Sequence, residues 1–182
     1  MRKLLLSLAL ATAAAALAAQ ASKATDPMPA SYKAVQLSAL KLQRKTLLAM
    51  ADSMPERLYQ QRATPIQRSF GEQIMHAAGS AALISGMFAR STRSKAALPD
   101  STAAANTRAG LDAYINAAYD FCEATLAAQT PAERAAAVNL FGLPTVGWKV
   151  WDEIHEHTFW TAGQVVANFR MNGMAPPGFG FF

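Results

Sequence analysis

Apolar residues recur at three- and four-residue spacing along four long stretches of the chain, which is the pattern of amphipathic helices. The sequence has no alternating β-branched runs and no Asn-Gly or Asp-Gly hairpin turns, so no strands are predicted. Four amphipathic helices of this length predict an all-α fold, namely a four-helix bundle. The predicted helices cover residues 30–53, 64–90, 102–128 and 145–172.

Proline, glycine and capping residues mark the predicted ends of these helices. Pro55 ends the first helix, because proline has no N–H to donate and clashes with the preceding turn. The segment from Thr64 to Gln67 has the order of a capping box, with proline at the first helical position, so we predict that the second helix begins there. Pro131 follows the third helix, and Gly173 suits the C-terminal cap of the fourth.

The connection between the predicted second and third helices, residues 91–101, is polar and long. Fully extended, it spans ~35 Å, and a second helix over residues 64–90 is about as long, ~39 Å. A connection that runs the length of the bundle makes the second and third helices parallel. A slack loop of the same length is the alternative.

The first 21 residues have the order of a secretory signal peptide. Arg2 and Lys3 supply positive charge, an apolar and alanine-rich run follows, and residues 19–21 have the small-x-small form of a cleavage site. An uncleaved anchor is the alternative, but a stable span needs ~20 strongly apolar residues. We therefore predict a signal peptide over residues 1–21 and one folded domain over residues 22–182. We expect the mature protein to be periplasmic or secreted, without a membrane anchor.

Charge and cysteine content limit the partners that the mature chain could have. Without Arg2 and Lys3, 15 basic residues stand against 12 acidic ones, a net charge of about +3. This charge is too small to predict binding to nucleic acid. The single cysteine, Cys122, cannot form an internal disulfide in an oxidising compartment, so packing must stabilise the domain.

Three histidines carry the candidate chemistry: His76, His155 and His157. The sequence contains no Ser-His-Asp order, glycine-rich phosphate loop or Cys-x-x-Cys pair, so it assigns no catalytic residue. Residues four apart share a helix face and residues two apart do not. His157 therefore shares a face with Glu153, while His155 points nearly the opposite way. Glu72 lies one turn before His76 in the same manner.

These two Glu-x-x-x-His pairs are consistent with two arrangements. If they face each other across the core of the bundle, they supply two imidazoles and two carboxylates, a set that a divalent metal accepts. Otherwise each is an ordinary pair on a helix surface, and each histidine bonds locally. Spacing alone leaves both arrangements open.

Aromatic residues are dense in the last predicted helix. We predict that they pack in the core and at the end of the bundle, and the wall of an apolar ligand pocket is the alternative. The apolar C-terminal segment, residues 176–182, is expected to fold back over the bundle. The aromatic residues in question are Trp148, Trp151, Phe159 and Trp160.

Two segments resemble the DinB-like family of four-helix bundles. They are residues 69–76, SFGEQIMH, and residues 163–177, GQVVANFRMNGMAPP. The resemblance covers most of the chain, from about residue 33 to residue 177. It implies an up-down-down-up order of helices, a homodimer, and one divalent metal ion, zinc or nickel, held by one histidine of the second helix and two of the fourth. Several members of the family are metal-dependent transferases that use low-molecular-weight thiols.

The match to the family's metal ligands is incomplete. His76 corresponds to the second-helix ligand, and alignment on residues 163–164 places His157 at the first histidine of the motif His-x-x-x-His-x-Gly-Gln. The second histidine of that motif falls on Thr161, and a neutral hydroxyl is a poor ligand beside imidazole. We therefore predict weak or no metal binding. The candidates for additional ligands are Glu72 and Glu153.

Two functions are consistent with this sequence. The first is an exported DinB-like bundle with an altered metal site that binds a small molecule without catalysis, which the loss of the third histidine favours. The alternative is a divalent-metal-dependent hydrolase or transferase acting on a small molecule, in which the metal polarises the substrate or activates water. A purely structural role has no positive signal in the sequence.

Export with processing is directly testable. We expect cleavage after Ala21, because residues 19–21 place small side chains on both sides of Gln20. The intact mass of the protein recovered from the extracytoplasmic fraction should then correspond to residues 22–182. A full-length mass, or recovery from the cytosol alone, would contradict this expectation.

Overall fold

The computed structural model describes residues 29–178 and residue 180, so the expected signal peptide and its cleavage site lie outside the described residues. This part of the chain is mostly helical, as predicted. Its elements in order are α1 (Ala30–Ser53), a 3-10 turn (Glu56–Leu58), α2 (Phe70–Phe88), α3 (Ser101–Ala104), α4 (Arg108–Ala128), α5 (Pro131–Ala135), β1 (Ala137–Leu140), β2 (Leu143–Val146) and α6 (Val150–Met171).

The four long helices pack around one hydrophobic core, with α2 as its most buried member. Both α2 and α1 lie against α4 and α6. The apolar stripes that the sequence shows supply this core from every long helix. Representative fully buried members are Leu40 and Leu47 of α1, Ile74 of α2, Leu111 and Ile115 of α4, and Ile154 and Val165 of α6.

Glycine allows α2 to approach α4 closely. Gly71, Gly79 and Gly86 are spaced by eight and seven residues, so they share one face of α2. A Cβ atom at Gly79 would stand only 2.6 Å from the hydroxyl of a tyrosine on α4. Gly71 meets the backbone of Ala105 just before α4, Gly79 meets Tyr114, and Gly86 meets the ring of Phe121 together with the carbonyl of Ser94 in the connection before α3.

Helices α2 and α6 pack side by side and run in opposite directions. Phe169 packs edge-on against Phe70 at the start of α2, with ring centroids 5.9 Å apart. Further along α2, Gln73 bonds to Gln164 at 3.2 Å. Residues from the middle of both helices are therefore placed side by side in the core.

The second helix begins later than the capping pattern from Thr64 to Gln67 predicts. A capping box is present, but it is formed by Ser69 and Glu72: the Ser69 N–H donates to Glu72 at 2.8 Å, and the Ser69 hydroxyl accepts from the Glu72 N–H. The preceding residues are held as a loop, because the carbonyl of Gln61 accepts the Phe70 N–H at 3.0 Å. A tertiary contact thus overrides a local helix signal.

The third predicted helix, residues 102–128, is also interrupted. The structure places a short helix, α3, before a break at residues 105–107, and α4 starts only after it. Asp100 caps α3, and Thr107 caps α4 by accepting the Gly110 N–H. Two caps only seven residues apart explain the break, because each side chain satisfies the backbone donors of a new helix start.

A short antiparallel hairpin occupies residues that the sequence assigned to a loop and to the start of the fourth helix. Ala137 pairs with Val146 across it, and α6 begins at Val150, not at residue 145. The turn needs positive φ at two successive residues, Phe141 and Gly142, and the second is a glycine. The prediction that strands are absent was wrong here, because the turn lacks the Asn-Gly or Asp-Gly signature.

The connection over residues 91–100 lies along α2. Its Ser94 N–H donates to the carbonyl of Gly86 at 2.9 Å, where the glycine leaves no side chain in the way. At its beginning, the Ser91 N–H and hydroxyl both donate to Glu133. Burial alone would raise the pKa of Glu133, but hydrogen bonds from Thr130 and Ser91 outweigh it and lower that pKa to about 2.

The aromatic residues of the last predicted helix, residues 145–172, occupy several environments. Trp151 is buried and donates its indole N–H to Gln129 at 2.8 Å, and Trp148 packs edge-on against Tyr32. Trp160 is 76 % exposed, so the core prediction was wrong for this residue, which lies off the buried face of α6.

Of the C-terminal segment, Gly180 lies beside Leu42 of α1. Within residues 29–178 and residue 180, no helix is long and apolar enough to span a bilayer.

Truncation of the core should destabilise the fold. Ile74 is fully buried (0 % exposed) between the long helices, so Ile74→Ala should lower the free energy of unfolding by ~2–5 kcal/mol. The matched control is Ile66→Ala, since Ile66 is 98 % exposed and its truncation should change stability by less than about 0.5 kcal/mol. Urea unfolding followed by circular dichroism measures both, and equal losses would contradict the packing described above.

Candidate functional site

His76 of α2 and His157 of α6 meet in the middle of the two helices. Their ring centroids are 5.3 Å apart and their planes are inclined at 75°. This separation lies within the range of ordinary edge-to-face ring packing, about 4.5–7 Å. The structure thus brings together the two histidines that the sequence singles out, and the contact itself requires no bridging ion.

The ring nitrogens of the pair have different surroundings. Nδ1 of His76 lies 3.3 Å from the hydroxyl of Ser80, one turn further along α2. Nδ1 of His157 is buried and has no hydrogen-bond partner among the described residues. A buried nitrogen without a partner is uncommon, so a ligand or an ion that reached this atom would satisfy it.

Both imidazoles are held neutral by their environment. Burial, followed by the positive charge of Arg68, lowers the pKa of His76, and the neighbouring His157 adds to this. The same two causes, burial and then Arg68, lower the pKa of His157. A cation close enough to act on both rings opposes a second positive charge between them, whether a proton or a metal ion.

The two candidate carboxylates are engaged in other interactions. Glu72 closes the capping box of α2 and forms an ion pair with Arg62 at 2.8 Å. These hydrogen bonds and the ion pair, led by the backbone bond from Ser69, lower the pKa of Glu72. Glu153 pairs with Lys149 at 3.3 Å, one turn earlier on α6.

Next to the histidines lies a layer of neutral amide groups. Thr161, the residue at the family's third-histidine position, is 1 % exposed. Gln73 donates to the backbone carbonyl of Thr161 at 3.4 Å and to the side chain of Gln164 at 3.2 Å. The Gln73 carbonyl oxygen is buried without a hydrogen-bond partner in the described part of the chain. Sequence reasoning missed Gln73, because a glutamine at one helical position carries no signal of its own.

This donor set does not fit the three-histidine metal centre that the family resemblance implies. Across the residues that the structure describes, no group of three or more His, Cys, Asp or Glu side chains is placed to hold a metal ion. Two imidazoles fall short of the three protein ligands that catalytic zinc sites use.

His155 points away from this pair, as its spacing predicts. Its Nδ1 lies 3.2 Å from the amide nitrogen of Gln43, and Gln43 accepts a bond from the buried hydroxyl of Tyr119. Its ring packs against Phe159 at 4.8 Å. His155 is therefore part of a polar chain that links α1, α4 and α6.

A cleft of about 580 Å³ opens beside His76, and we call it the histidine cleft. His76 lines it, whereas His157 is not among its lining residues. Burial raises the pKa of the Tyr114 phenol, so this hydroxyl stays a hydrogen-bond donor at neutral pH. Arg68 and Tyr114 come from segments far apart in the sequence, which is why sequence reasoning missed them. The polar residues around the cleft are Arg62, Arg68, Glu72, Ser80, Ser101 and Tyr114.

The fold is that of a DinB-like protein. The structure is similar to the crystal structure of a DinB-like protein from Bacillus cereus, with a TM-score of 0.60 over 79 % of this chain and 95 % of that chain. The two sequences are 18 % identical, so this likeness concerns the fold alone. No family model matches the sequence, and no curated protein matches it significantly.

The neutral histidines should make stability depend on pH. Because burial and Arg68 lower the folded-state pKa of His157 below its unfolded value, the unfolded chain binds more protons at mildly acidic pH. The free energy of unfolding should therefore fall as pH drops from about 7.5 to about 5.5. His157→Leu should show a smaller fall, because one of the titrating groups is removed. Urea titrations at both pH values measure this, and an unchanged slope in the variant would contradict it.

Proposed function

We propose that this chain is an exported, small-molecule-binding protein with a DinB-like four-helix bundle and an altered metal site. The bundle has the up-down-down-up order. This order is supported by the contacts between α2 and α4, in which Gly79 and Gly86 meet Tyr114 and Phe121 in ascending order in both helices, while Gly71 meets Ala105 just before α4. Parallel α2 and α4 need a long connection, and residues 91–100 lie along α2 as such a connection would.

The observation that carries this proposal is that Arg68 and His76 line the same cleft, with His157 in contact with His76. A site built to hold a divalent cation gathers negative or neutral donors, whereas this one has a guanidinium that acts on both imidazoles. The third ligand position is Thr161, buried in a layer of amides. The site therefore favours a neutral or anionic ligand over a metal ion.

The histidine cleft has the size and chemistry of a small-molecule site. Its volume of about 580 Å³ falls within the ~300–1,000 Å³ of typical ligand pockets. His76 offers a neutral imidazole, while Ser80 and Tyr114 offer hydroxyl groups. Such convergent polar groups at a concave surface fix the orientation of a bound molecule.

A metal-dependent hydrolase or transferase is the second candidate function. It is favoured by the buried Nδ1 of His157, which lacks a hydrogen-bond partner in the described residues and would gain one bond by coordination. In that case His76 and His157 would be the protein ligands, and zinc or nickel would supply Lewis-acid chemistry. The neighbouring charge of Arg68 weakens this function, since it repels the ion.

The proposed location is outside the cytoplasm, and the proposed macromolecular partner is a second copy of this chain. Export to the periplasm or the medium is supported by the charge, apolar run and cleavage motif of residues 1–21. The modest net charge of the mature chain supports the absence of a nucleic-acid partner. A homodimer is supported by the family resemblance.

Ligand binding in the histidine cleft can be tested with a fragment library. We expect several polar fragments to bind the wild type by ligand-observed NMR, and Ser80→Trp should abolish this binding by filling the cleft beside His76. The matched control is Ser53→Trp, an exposed position at the end of α1, which should retain every fragment. A library without a single fragment sensitive to Ser80→Trp would overturn the proposed function.

Restoring the missing histidine should create metal affinity. We expect the wild type to bind Zn²⁺ or Ni²⁺ weakly or not at all, and Thr161→His to bind at least roughly tenfold more tightly. The new imidazole would lie one turn after His157, where the unpartnered oxygen of Gln73 could accept its N–H. Titration calorimetry measures both proteins. Tight binding by the wild type that Glu72→Ala or Glu153→Ala abolishes would instead favour the enzyme.

A further inference from the structure

A second cavity, of about 650 Å³, lies between α2 and the connection over residues 91–100. We call it the connection cavity. Most of its wall is apolar and comes from Ala82 and Met87 of α2 and from Ala96 and Leu98 of the connection. It differs in this respect from the histidine cleft, most of whose lining residues are polar or charged.

The two cavities adjoin along α2. Gly79 and Leu83 line both of them. Gly79 contributes no side chain to the junction, and a Cβ atom there would stand 2.6 Å from the Tyr114 hydroxyl. The floor of the histidine cleft therefore continues into the connection cavity without a barrier at this residue.

Leu83 exposes an apolar surface at this junction. It lies in the middle of α2, the most apolar helix, yet it is 51 % exposed. Its side chain borders the polar cleft on one side and the apolar cavity on the other. A ligand that lay across the junction would remove this surface from water, which is favourable in proportion to the buried apolar area.

The histidine cleft, which is the more polar of the two cavities, carries an unpaired positive charge. Arg68 forms no hydrogen bond or ion pair with the residues that the structure describes, whereas Arg62 beside it is paired with Glu72. The hydroxyl groups of Ser80 and Tyr114 lie in the same cleft. A guanidinium with neighbouring hydroxyl donors suits a carboxylate or another small oxyanion.

We propose that the histidine cleft and the connection cavity form one groove for a free amphiphilic anion of medium chain length. Its acidic group lies at Arg68 and Tyr114, and its apolar chain lies over Leu83 towards Met87 and Leu98. This inference rests on the proposed small-molecule function and specifies the ligand class. Arg93, Ser94 and Lys95 also border the connection cavity, but they lie on one stretch of the connection, whereas Arg68 and Tyr114 come from separate segments that converge on the histidine cleft.

A homologous series of ligands tests the groove. Titration calorimetry on the mature wild-type protein would use acetate, butanoate and octanoate, with octan-1-ol as the uncharged analogue. Each buried methylene should tighten binding by up to about fourfold, so octanoate should bind far more tightly than acetate. Octanoate should also bind more tightly than octan-1-ol, because only the acid meets Arg68.

Two variants, both at exposed positions, assign the ends of the ligand. Arg68→Gln should weaken octanoate binding roughly five- to tenfold and leave octan-1-ol unchanged, and Leu83→Gln should reduce the advantage of octanoate over butanoate. The matched control Arg170→Gln, at an exposed position that lines neither cavity, should change neither. Equal binding of acetate and octanoate, equal binding of octanoate and octan-1-ol, or an equal effect of Arg170→Gln would overturn the groove. If no acid binds while polar fragments still bind in a Ser80-dependent manner, the groove is wrong and the proposed function stands.

Discussion

The close approach of α2 to α4 is the constraint on which the rest of the structure depends. Gly71, Gly79 and Gly86 remove side chains from one face of α2, so backbone and aromatic groups of the neighbouring segments lie directly against it. This contact fixes the depth of the helix in the core. It also leaves Ile74 buried in the core and places His76 against His157 of α6 and at the edge of the cleft.

The same close approach shapes both cavities. The Tyr114 hydroxyl can lie over α2 only because Gly79 has no Cβ, and the connection can cross α2 only because Gly86 has none. These two glycines therefore place a hydrogen-bond donor at the floor of the histidine cleft and an apolar wall beside it. The absence of side chains at two positions of α2 thus allows neighbouring groups to form the walls of both cavities.

The charges around the two histidines then determine which kind of ligand this surface favours. The histidine pair is neutral because it is buried and because Arg68 is near. The carboxylates that could have offset the charge of a cation are used elsewhere, Glu72 in the cap of α2 and Glu153 in a pair with Lys149. This distribution of charge supports the proposed preference for neutral or anionic small molecules over a metal ion.

The sequence by itself determined the helical class, because apolar periodicity and proline positions are local properties of the chain. It also singled out His76 and His157 and separated them from His155, since helical spacing fixes which residues share a face. It placed the start of the second helix too early and missed the hairpin at Phe141 and Gly142. In those places tertiary hydrogen bonds, or a turn without the usual residues, outweigh local preference.

Only the tertiary structure decided the roles of the remaining site residues. Glu72 and Glu153 have the spacing of metal ligands, but their partners, Arg62 and Lys149, are determined by how the chain folds around them. Arg68, Gln73 and Tyr114 carry no recognisable pattern, because each acquires its role from groups on other segments. Helical spacing is a short-range property that a sequence displays, whereas the charge and shape of a cleft are sums over segments that meet only after folding.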